Sequence, residues 1–455
     1  MSEVIHKPII FLPIECTIRE LDYKLNLARI FCNNKLDVII GNPPFIRDEL
    51  KYKNYKGLFL EKGANPDPEY YIKLKQKDVL LYCLSDEGAA CPAYSVNYQP
   101  AVDTLQLMEY IFLWGDSQMQ DLKVRNPDVE LNNKYLVTGY PGMEFSLPFY
   151  KTYHQILSTK ISSKEYILVN TNFGSFNGFN LDEVTKACSA MSPDTKKMIE
   201  ESYKKEEVLF KVFYEALKEI ISNFPEENFL IRPHPCEKLE RYVNFFSKFE
   251  NVMISNNGNV NNAISSAKLV IHHDCTSALQ SYLMEIPVIS LAHIGSIDYK
   301  IQADWTLSFG ALPNNIQEAN YYMNYILQHK KLPEDIEKNI NNKAKITIDK
   351  MFTNLGNSTV DVFSIMMEGI NKKFKDFKPY RSKNTRTWLQ KIKVFVRKYL
   401  PLYYKVPVAS RGLLTKFSKQ DLKIRLSLLE EINKSSCSYR IKKIYPNAYH
   451  ITLEN

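Results

Sequence analysis

The chain has 455 residues, which is too long for one hydrophobic core and predicts two or three domains. Its 45% apolar and 24% charged residues are typical of a globular protein and exclude a low-complexity chain. The net charge of +8 is unevenly distributed: residues 371–455 carry 21 Lys and Arg against 5 Asp and Glu, whereas residues 1–370 carry 38 against 46. An acidic body with a strongly basic C-terminal region indicates an anionic partner for that region.

The eight cysteines form no C-x-x-C pair and no zinc-finger spacing. The N-terminus, MSEVIHKPIIFLPIE, lacks the basic start and cleavage site of a signal peptide. No window approaches the ~18 consecutive apolar residues that a membrane span requires. These features predict a reduced, cytoplasmic protein.

The first 150 residues predict strands that alternate with helices. KPIIFLPIE predicts a strand, and TIRELDYKLNLARIFCNN predicts a helix because its apolar residues recur at three- and four-residue spacing. Five further apolar runs predict strands: LDVIIG, KGLFLEKG, DVLLYCLSDEG, EYIFLWGD and KYLVTGYPG. Apolar strands separated by helices predict a parallel sheet that is covered on both faces.

The second half repeats this alternation. EYILVNTNFG, ENFLIRPHP, NVMISNNG, AKLVIHHDCTS and IPVISLAHIG predict strands, with a helical segment over residues 192–223 and helices over residues 335–370. We therefore predict an α/β protein with two doubly wound Rossmann-like domains, residues 1–155 and 156–370, and a basic helical C-terminal region, residues 371–455. Ligands of such sheets bind beyond the carboxyl ends of the strands.

Residues 373–405, KFKDFKPYRSKNTRTWLQKIKVFVRKYLPLYYK, interleave basic residues with aromatic and aliphatic ones. This pattern predicts a helix on an anionic membrane surface and a peripheral position at the inner face of the cytoplasmic membrane. The alternative is that the basic residues form an ordinary solvated surface.

Three loops that follow predicted strands concentrate the polar residues. In the first, Asp86 and Glu87 precede Gly88, which leaves room for a substrate hydroxyl. A carboxylate at this place can act as a general base, or it can cap the next helix.

The second loop contains Arg232-Pro233-His234-Pro235. The prolines stiffen it, the planar guanidinium of Arg232 suits phosphate or carboxylate, and His234 can donate a proton to a leaving group. A structural histidine that supports the loop is the alternative.

The third loop begins with His272 and His273 and leads through Asp274 to Thr276 and Ser277 at a predicted helix start. Hydroxyls and free N–H groups at such a place suit an anion, although simple N-capping is the alternative. Adjacent strand residues point in opposite directions, so we do not expect the two histidines to share a metal ion.

The order Asp86-Glu87-Gly88, His234-Pro235, Thr276-Ser277 resembles bacterial sialyltransferases and Kdo transferases, which have the two-domain GT-B fold with a cleft and use CMP-activated acidic sugars. HHDCTSALQSYLMEIPVISL is similar to the donor-domain segment of capsule Kdo transferases. FLPIECTIRELDYKLNLA, with LSDEG, FLWGD and VTGYPG, resembles the surface carbohydrate biosynthesis protein group. The likeness extends over residues 8–300.

The resemblance implies that Asp86 or Glu87 deprotonates the acceptor hydroxyl and that His234 contacts the CMP phosphate and assists its departure. It implies that Pro235 shapes the cytidine pocket and that Thr276 and Ser277 hold the phosphate. The complete predicted donor-binding set is Arg232, Pro235, His273, Thr276, Ser277, Asn170, Asn172 and Gly88.

The segment LVNTNFGSFNG departs from retaining Kdo transferases, because it has no carboxylate where they place an aspartate nucleophile. We therefore expect direct displacement with inversion of the sugar configuration. We expect the acceptor to be a lipid-linked glycan or an oligosaccharide, and we expect no metal ion, cofactor or nucleic acid to take part. Two other functions stay open: a nucleotide-sugar epimerase of the UDP-GlcNAc 2-epimerase type, and a non-catalytic lipid- or nucleic-acid-binding protein.

Overall fold

The structure is a computed structural model and describes residues 3–62, 68–84, 86, 104, 106–125, 133–158, 165–178, 193–295, 304–399, 416–445 and 447–454. The chain forms two compact units. Unit 1 comprises Met1–Phe145 with Ile348–Asn455, and unit 2 comprises Ser146–Thr347. This grouping differs from the predicted division at residues 155 and 370, because the chain returns to unit 1 within one of its helices.

The strands are β1 (Glu3–Ile5), β2 (Ile9–Pro13), β3 (Asp37–Gly41), β4 (Gly57–Glu61), β5 (Val79–Leu84), β6 (Tyr110–Leu113), β7 (Tyr135–Val137), β8 (Tyr166–Asn170), β9 (Phe229–Arg232), β10 (Val252–Ile254), β11 (Ala267–His272), β12 (Val288–Ser290), β13 (Tyr380–Ser382), β14 (Tyr439–Tyr445) and β15 (Ala448–Leu453). Each apolar run that predicted a strand forms one, which confirms those predictions.

The helices are α1 (Thr17–Asn33), α2 (Pro43–Tyr52), α3 (Pro68–Gln76), α4 (Asp116–Arg125), α5 (Pro141–Glu144), α6 (Lys151–Ser158), α7 (Gly174–Gly178), α8 (Pro193–Asn223), α9 (Leu239–Phe246), α10 (Val260–Ile264), α11 (Ser277–Leu283), α12 (Ile316–His329), α13 (Glu334–Met351), α14 (Ser358–Lys373), α15 (Trp388–Tyr399) and α16 (Lys419–Ile432). Within the described parts of the chain, no helix is long and apolar enough to cross a membrane.

The sheet of unit 1 has the strand order β14-β15-β3-β2-β4-β5-β6-β7. From β3 to β7 in this order, each strand is parallel to the next. The chain leaves β2 toward β3 on one side and returns to β4 on the other, so the topological switch point lies between β2 and β4. Ligands of doubly wound sheets bind at such a point, beyond the carboxyl ends of the strands.

The C-terminal region contributes more than the predicted helices. β14 and β15 form an antiparallel pair, and β15 joins β3 in antiparallel register from Ala448 opposite Gly41 to Ile451 opposite Val38. Two strands from the basic C-terminal region therefore extend the sheet of unit 1, a feature that the sequence analysis did not predict.

The sheet of unit 2 has the order β10-β9-β8-β11-β12, and all of its neighbouring strands are parallel. Its switch point lies between β8 and β11, where Asn170 is in register with His272. Both faces are covered by apolar side chains, as predicted: Ile167, Val169, Ile231 and Ile271 belong to one core, and Leu168, Leu230 and Val270 belong to the other.

Candidate functional site

The carboxyl edge of the unit 2 sheet contains a buried cation. Arg232 is only 6% exposed, and its Nη1 and Nη2 atoms donate to the backbone carbonyls of Asn257 (2.8 Å) and Gly258 (2.6 Å). Burial lowers the pKa of the guanidinium to about 10, so it stays charged at neutral pH. Among the described residues, no carboxylate forms an ion pair with it. Arg232 therefore holds the Asn257–Gly258 turn, and its charge has no counterion in the described part of the chain.

Two predicted donor-site residues meet at the same edge. The Nδ2 atom of Asn170, at the end of β8, donates to the Oγ atom of Ser277 at 2.9 Å, and both side chains are buried. Thr276, immediately before α11, is exposed, and Asn172 is half-buried in the loop after β8. The structure thus brings together Asn170 and Ser277, which the sequence separates by more than 100 residues.

The two adjacent histidines lie on opposite faces of the sheet, as strand geometry requires. The ring of His273 packs against Phe173 and Phe213 in one core, and its Nδ1 atom lies 3.4 Å from Asp274. His272 follows Val270 on the other face and is in register with Asn170. His272 is therefore the histidine that shares a face with Asn170, and the sequence analysis had placed His273 in the donor site instead.

His234 lies in a loop that is held by a buried carboxylate. Glu237 accepts hydrogen bonds from the His234 backbone N–H (3.0 Å), Thr171 Oγ1 (2.6 Å), Asn177 Nδ2 (3.1 Å) and Tyr242 OH (2.5 Å). It joins the loops after β8 and β9 with α7 and α9. Sequence reasoning missed Glu237, because its only signal was its position three residues after a histidine flanked by prolines.

The backbone sets the tautomer of His234. The N–H of Cys236 donates to His234 Nδ1 at 3.3 Å, so Nδ1 is an acceptor and the neutral ring carries its proton on Nε2. Pro235 is half-buried beside it. The donor N–H of the neutral His234 ring is therefore on Nε2, the ring nitrogen farther from the backbone.

In unit 1, Asp86 follows β5 and is almost fully buried. Its Oδ1 atom accepts from Tyr23 OH (2.5 Å) and Tyr140 OH (2.9 Å), and its Oδ2 atom accepts from Lys24 Nζ (3.4 Å). Burial raises the pKa of Asp86, while Lys24 opposes that rise. Both carboxylate oxygens already have protein partners. Glu87 and Gly88 lie outside the described residues.

A second carboxylate extends this network at the unit 1 switch point. Glu20 accepts from the Glu15 and Cys16 backbone N–H groups after β2, and Lys24 Nζ lies 2.8 Å and Lys62 Nζ 3.2 Å from it. Burial acts to raise the pKa of Glu20, but Lys24 and Lys62 lower it to about 2. The network therefore neutralises its charges internally.

Gly139 places Tyr140 in this network. Its φ of +81° lies in the left-handed region, and a Cβ atom there would lie 2.1 Å from the Thr353 carbonyl oxygen. A side chain at residue 139 would therefore displace the segment from which Tyr140 reaches Asp86.

Among the described residues, no group of three or more His, Cys, Asp or Glu side chains is arranged to hold a metal ion.

No protein-family model and no curated protein matches the sequence. Among solved structures, the chain is similar to the wall teichoic acid polymerase TagF (H548A variant), with a TM-score of 0.50 and 10% identity over 81% of this chain and 90% of that chain. It also resembles UDP-GlcNAc 2-epimerase from Neisseria meningitidis, with a TM-score of 0.45 and 10% identity over 80% of this chain and 100% of that chain.

Identities this low show the fold alone. Together with the two doubly wound units, the likeness to TagF assigns the chain to the GT-B class, which confirms the predicted fold class.

Proposed function

We propose that the chain is a glycosyltransferase that moves an acidic sugar, of the sialic or Kdo type, from a CMP-activated donor to a hydroxyl of a surface polysaccharide acceptor. The observation that carries this proposal is the buried charge of Arg232 at the carboxyl edge of the unit 2 sheet, without a carboxylate partner among the described residues. A buried charge is costly unless a counterion accompanies it, so this edge favours an anionic ligand.

Two neutral donors complete the proposed donor site. His234 directs its Nε2 proton to a phosphate oxygen, and the Thr276 hydroxyl, exposed before α11, is available to the same group. CMP leaves as a monophosphate, and fixed donors of this kind stabilise the charge that develops on it. The proposed reaction is a direct displacement with inversion and uses no metal ion.

The hydrogen bonds of Asp86 favour Glu87 as the base that deprotonates the acceptor hydroxyl. Three hydrogen bonds, from Tyr23, Tyr140 and Lys24, hold the buried carboxylate of Asp86 and reduce its capacity to accept the proton of an acceptor hydroxyl. In this proposal Asp86 anchors the end of β5, and the next residue in sequence performs the proton transfer.

Helix α15 is the proposed membrane-docking element. Trp388, Leu389 and Phe395 are 72%, 64% and 64% exposed, although large apolar side chains are usually buried. The helix carries four basic residues and no acidic one, and Val394 packs against the core that contains Phe45. Apolar side chains flanked by cations suit a surface of anionic lipids, where a lipid-linked acceptor would be found.

The docking proposal is tested by co-sedimentation with vesicles. Wild type is expected to bind vesicles with anionic lipid and not vesicles of phosphatidylcholine alone, and Trp388→Asp with Phe395→Asp is expected to abolish binding. Ile346→Asp with Val360→Asp changes two exposed apolar side chains on other helices and serves as the control. Equal binding by the α15 variant would contradict the proposal.

The donor proposal is tested by thermal denaturation with CMP, CDP, UDP and GDP. Stabilisation by CMP is expected, because a ligand at 100 times its Kd adds about 2.7 kcal/mol to the free energy of unfolding. His234→Ala is expected to remove this shift, whereas His329→Ala, which removes an exposed imidazole, is expected to retain it. Preference for UDP, with sugar isomerisation and no acceptor, would overturn the proposal in favour of an epimerase.

A further inference from the structure

Four polar residues form a row across the carboxyl edge of the unit 2 sheet. Arg232, Asn170, His272 and Ser290 end β9, β8, β11 and β12, and each is in register with its neighbour. Residues in register on parallel strands face the same side of the sheet. The row therefore presents a cation, an amide, an imidazole and a hydroxyl to one face.

The other members of the row have protein partners. Arg232 binds two backbone carbonyls, Asn170 binds Ser277, and Ser290 Oγ donates to the His273 carbonyl oxygen at 2.5 Å. In His272, the Nδ1 atom accepts from the Cys275 backbone N–H at 3.1 Å. The neutral ring therefore carries its proton on Nε2.

The Nε2 atom of His272 is buried and has no hydrogen-bond partner among the described residues. Leaving a buried donor unsatisfied costs about 1–3 kcal/mol, so such a group at a ligand-binding edge calls for an explanation. Burial lowers the pKa of His272 to about 3, so the ring stays a neutral donor at physiological pH. A neutral N–H donor requires an acceptor atom and adds no further charge.

We propose that His272 Nε2–H binds a second anionic oxygen of the sugar donor, separate from the anion that Arg232 attracts. β9 and β11 are separated by β8, so their backbones lie about 10 Å apart at the strand spacing of about 4.8 Å. The Arg232 guanidinium extends toward the loop after β10, away from β11. One small anion does not span both groups, whereas a nucleotide-activated acidic sugar carries both a phosphate and a carboxylate.

This inference rests on the proposed donor, and it identifies His272 as the residue that binds the second anionic group of that donor. It also replaces His273, whose ring lies in the opposite core between Phe173 and Phe213. A nucleotide diphosphate sugar without a carboxylate would offer His272 only a second phosphate.

Two substitutions of His272 distinguish the roles of its two ring nitrogens, the Nδ1 acceptor and the Nε2 donor. In His272→Asn, the side-chain oxygen takes the place of Nδ1 and can accept from Cys275, but the distal donor is lost. In His272→Gln, the amide N–H lies near the position of Nε2, so a donor is retained. Calorimetric titrations of wild type and both variants would use CMP and CMP-N-acetylneuraminate.

His272→Asn is expected to bind the complete donor at least tenfold more weakly, with His272→Gln within threefold of wild type. The melting temperatures of the ligand-free variants are compared with that of wild type to confirm that each variant is folded. Weaker binding of the complete donor alone supports a contact between His272 and the carboxylate. Equal weakening for CMP would place His272 on the phosphate that Arg232 attracts and would overturn the separate contact.

Equal affinity of wild type and His272→Asn for both ligands would overturn this inference and leave the proposed function intact. Failure of wild type to bind either ligand would overturn the proposed function, and this inference with it.

Discussion

The carboxyl edges of the two sheets differ in how their buried charged groups are paired. In unit 1, the buried carboxylates of Glu20 and Asp86 share the ammonium group of Lys24, and two tyrosine hydroxyls complete Asp86. In unit 2, the buried guanidinium of Arg232 binds only backbone carbonyls, and His272 retains a donor without a protein partner among the described residues.

This difference shows that buried polar groups at the carboxyl edges of two similar sheets can have different roles, either structural support or ligand binding. A network that satisfies itself fixes a loop and resists change, since removal of one member exposes the others to an apolar surrounding. Charges and donors without protein partners favour a ligand that completes them. We therefore propose that the unit 1 network positions its loop and that the unit 2 edge binds an anion.

The largest expected effect comes from breaking the unit 1 network. Lys24→Met leaves Glu20 and Asp86 buried without their shared cation and is expected to lower the free energy of unfolding by about 3–5 kcal/mol. Urea unfolding followed by circular dichroism measures the loss. Lys73→Met is a matched control, because Lys73 also pairs with a glutamate four residues earlier but is exposed.

For Lys73→Met we expect a change of less than about 1 kcal/mol, as for other exposed ion pairs. Equal losses in the two variants would contradict the account of a buried, self-satisfied network.

A smaller effect is expected in the pH dependence of the free energy of unfolding, through His272 at the unit 2 edge. His272 has a folded-state pKa of about 3, whereas an unfolded histidine titrates near 6.5. Between these values the unfolded chain binds one more proton, so stability falls as pH falls, by about 1.4 kcal/mol per pH unit. His272→Gln removes this contribution, and its stability from pH 6.5 to 5 is expected to decline less steeply than that of wild type.

The comparison uses chemical unfolding at several pH values, with His329→Gln as the control because its imidazole is exposed. A His272→Gln slope equal to that of wild type would show that His272 titrates normally in the folded protein.

The smallest effect concerns one hydrogen bond of Asp86. Tyr140→Phe removes a buried hydroxyl that donates to the carboxylate at 2.9 Å and is expected to lower the free energy of unfolding by about 0.5–1.5 kcal/mol, since Tyr23 still binds the same oxygen. Tyr282→Phe removes an exposed hydroxyl bonded to Asn341 and is expected to cost less. A larger loss in Tyr282→Phe than in Tyr140→Phe would be inconsistent with a buried network.

Much of the fold was predictable, because the strands of both parallel sheets are continuous apolar runs. β14 and β15 were missed for a physical reason: in β14, buried Tyr439 and Ile441 alternate with exposed Arg440 and Lys442, and a one-sided strand of this kind reads as a basic segment. β14 pairs with β15, and β15 in turn joins β3, which lies some 400 residues earlier in the sequence.

The sites were only partly predictable. Asn170 and Arg232 stood out because they end apolar runs, and Ser277 because it lies at a predicted helix start. The choice between His272 and His273 required knowledge of the face that each occupies. Glu20 and Lys24 look like an ordinary surface pair at four-residue spacing. Their burial arises from packing of α1 on almost every side, which periodicity does not reveal.

The central claim is that the uncompensated charge of Arg232 binds the anionic donor, and calorimetric titration of CMP into Arg232→Met tests it most directly. Arg241→Met, which removes a guanidinium that lies over the ring of Phe176 in the same unit, is the control. We predict that Arg232→Met lowers the affinity by about 10- to 150-fold, the equivalent of 1.5–3 kcal/mol for a hydrogen bond to a charged group, and that Arg241→Met binds as wild type does. Equal affinity of Arg232→Met and wild type for CMP would contradict the account.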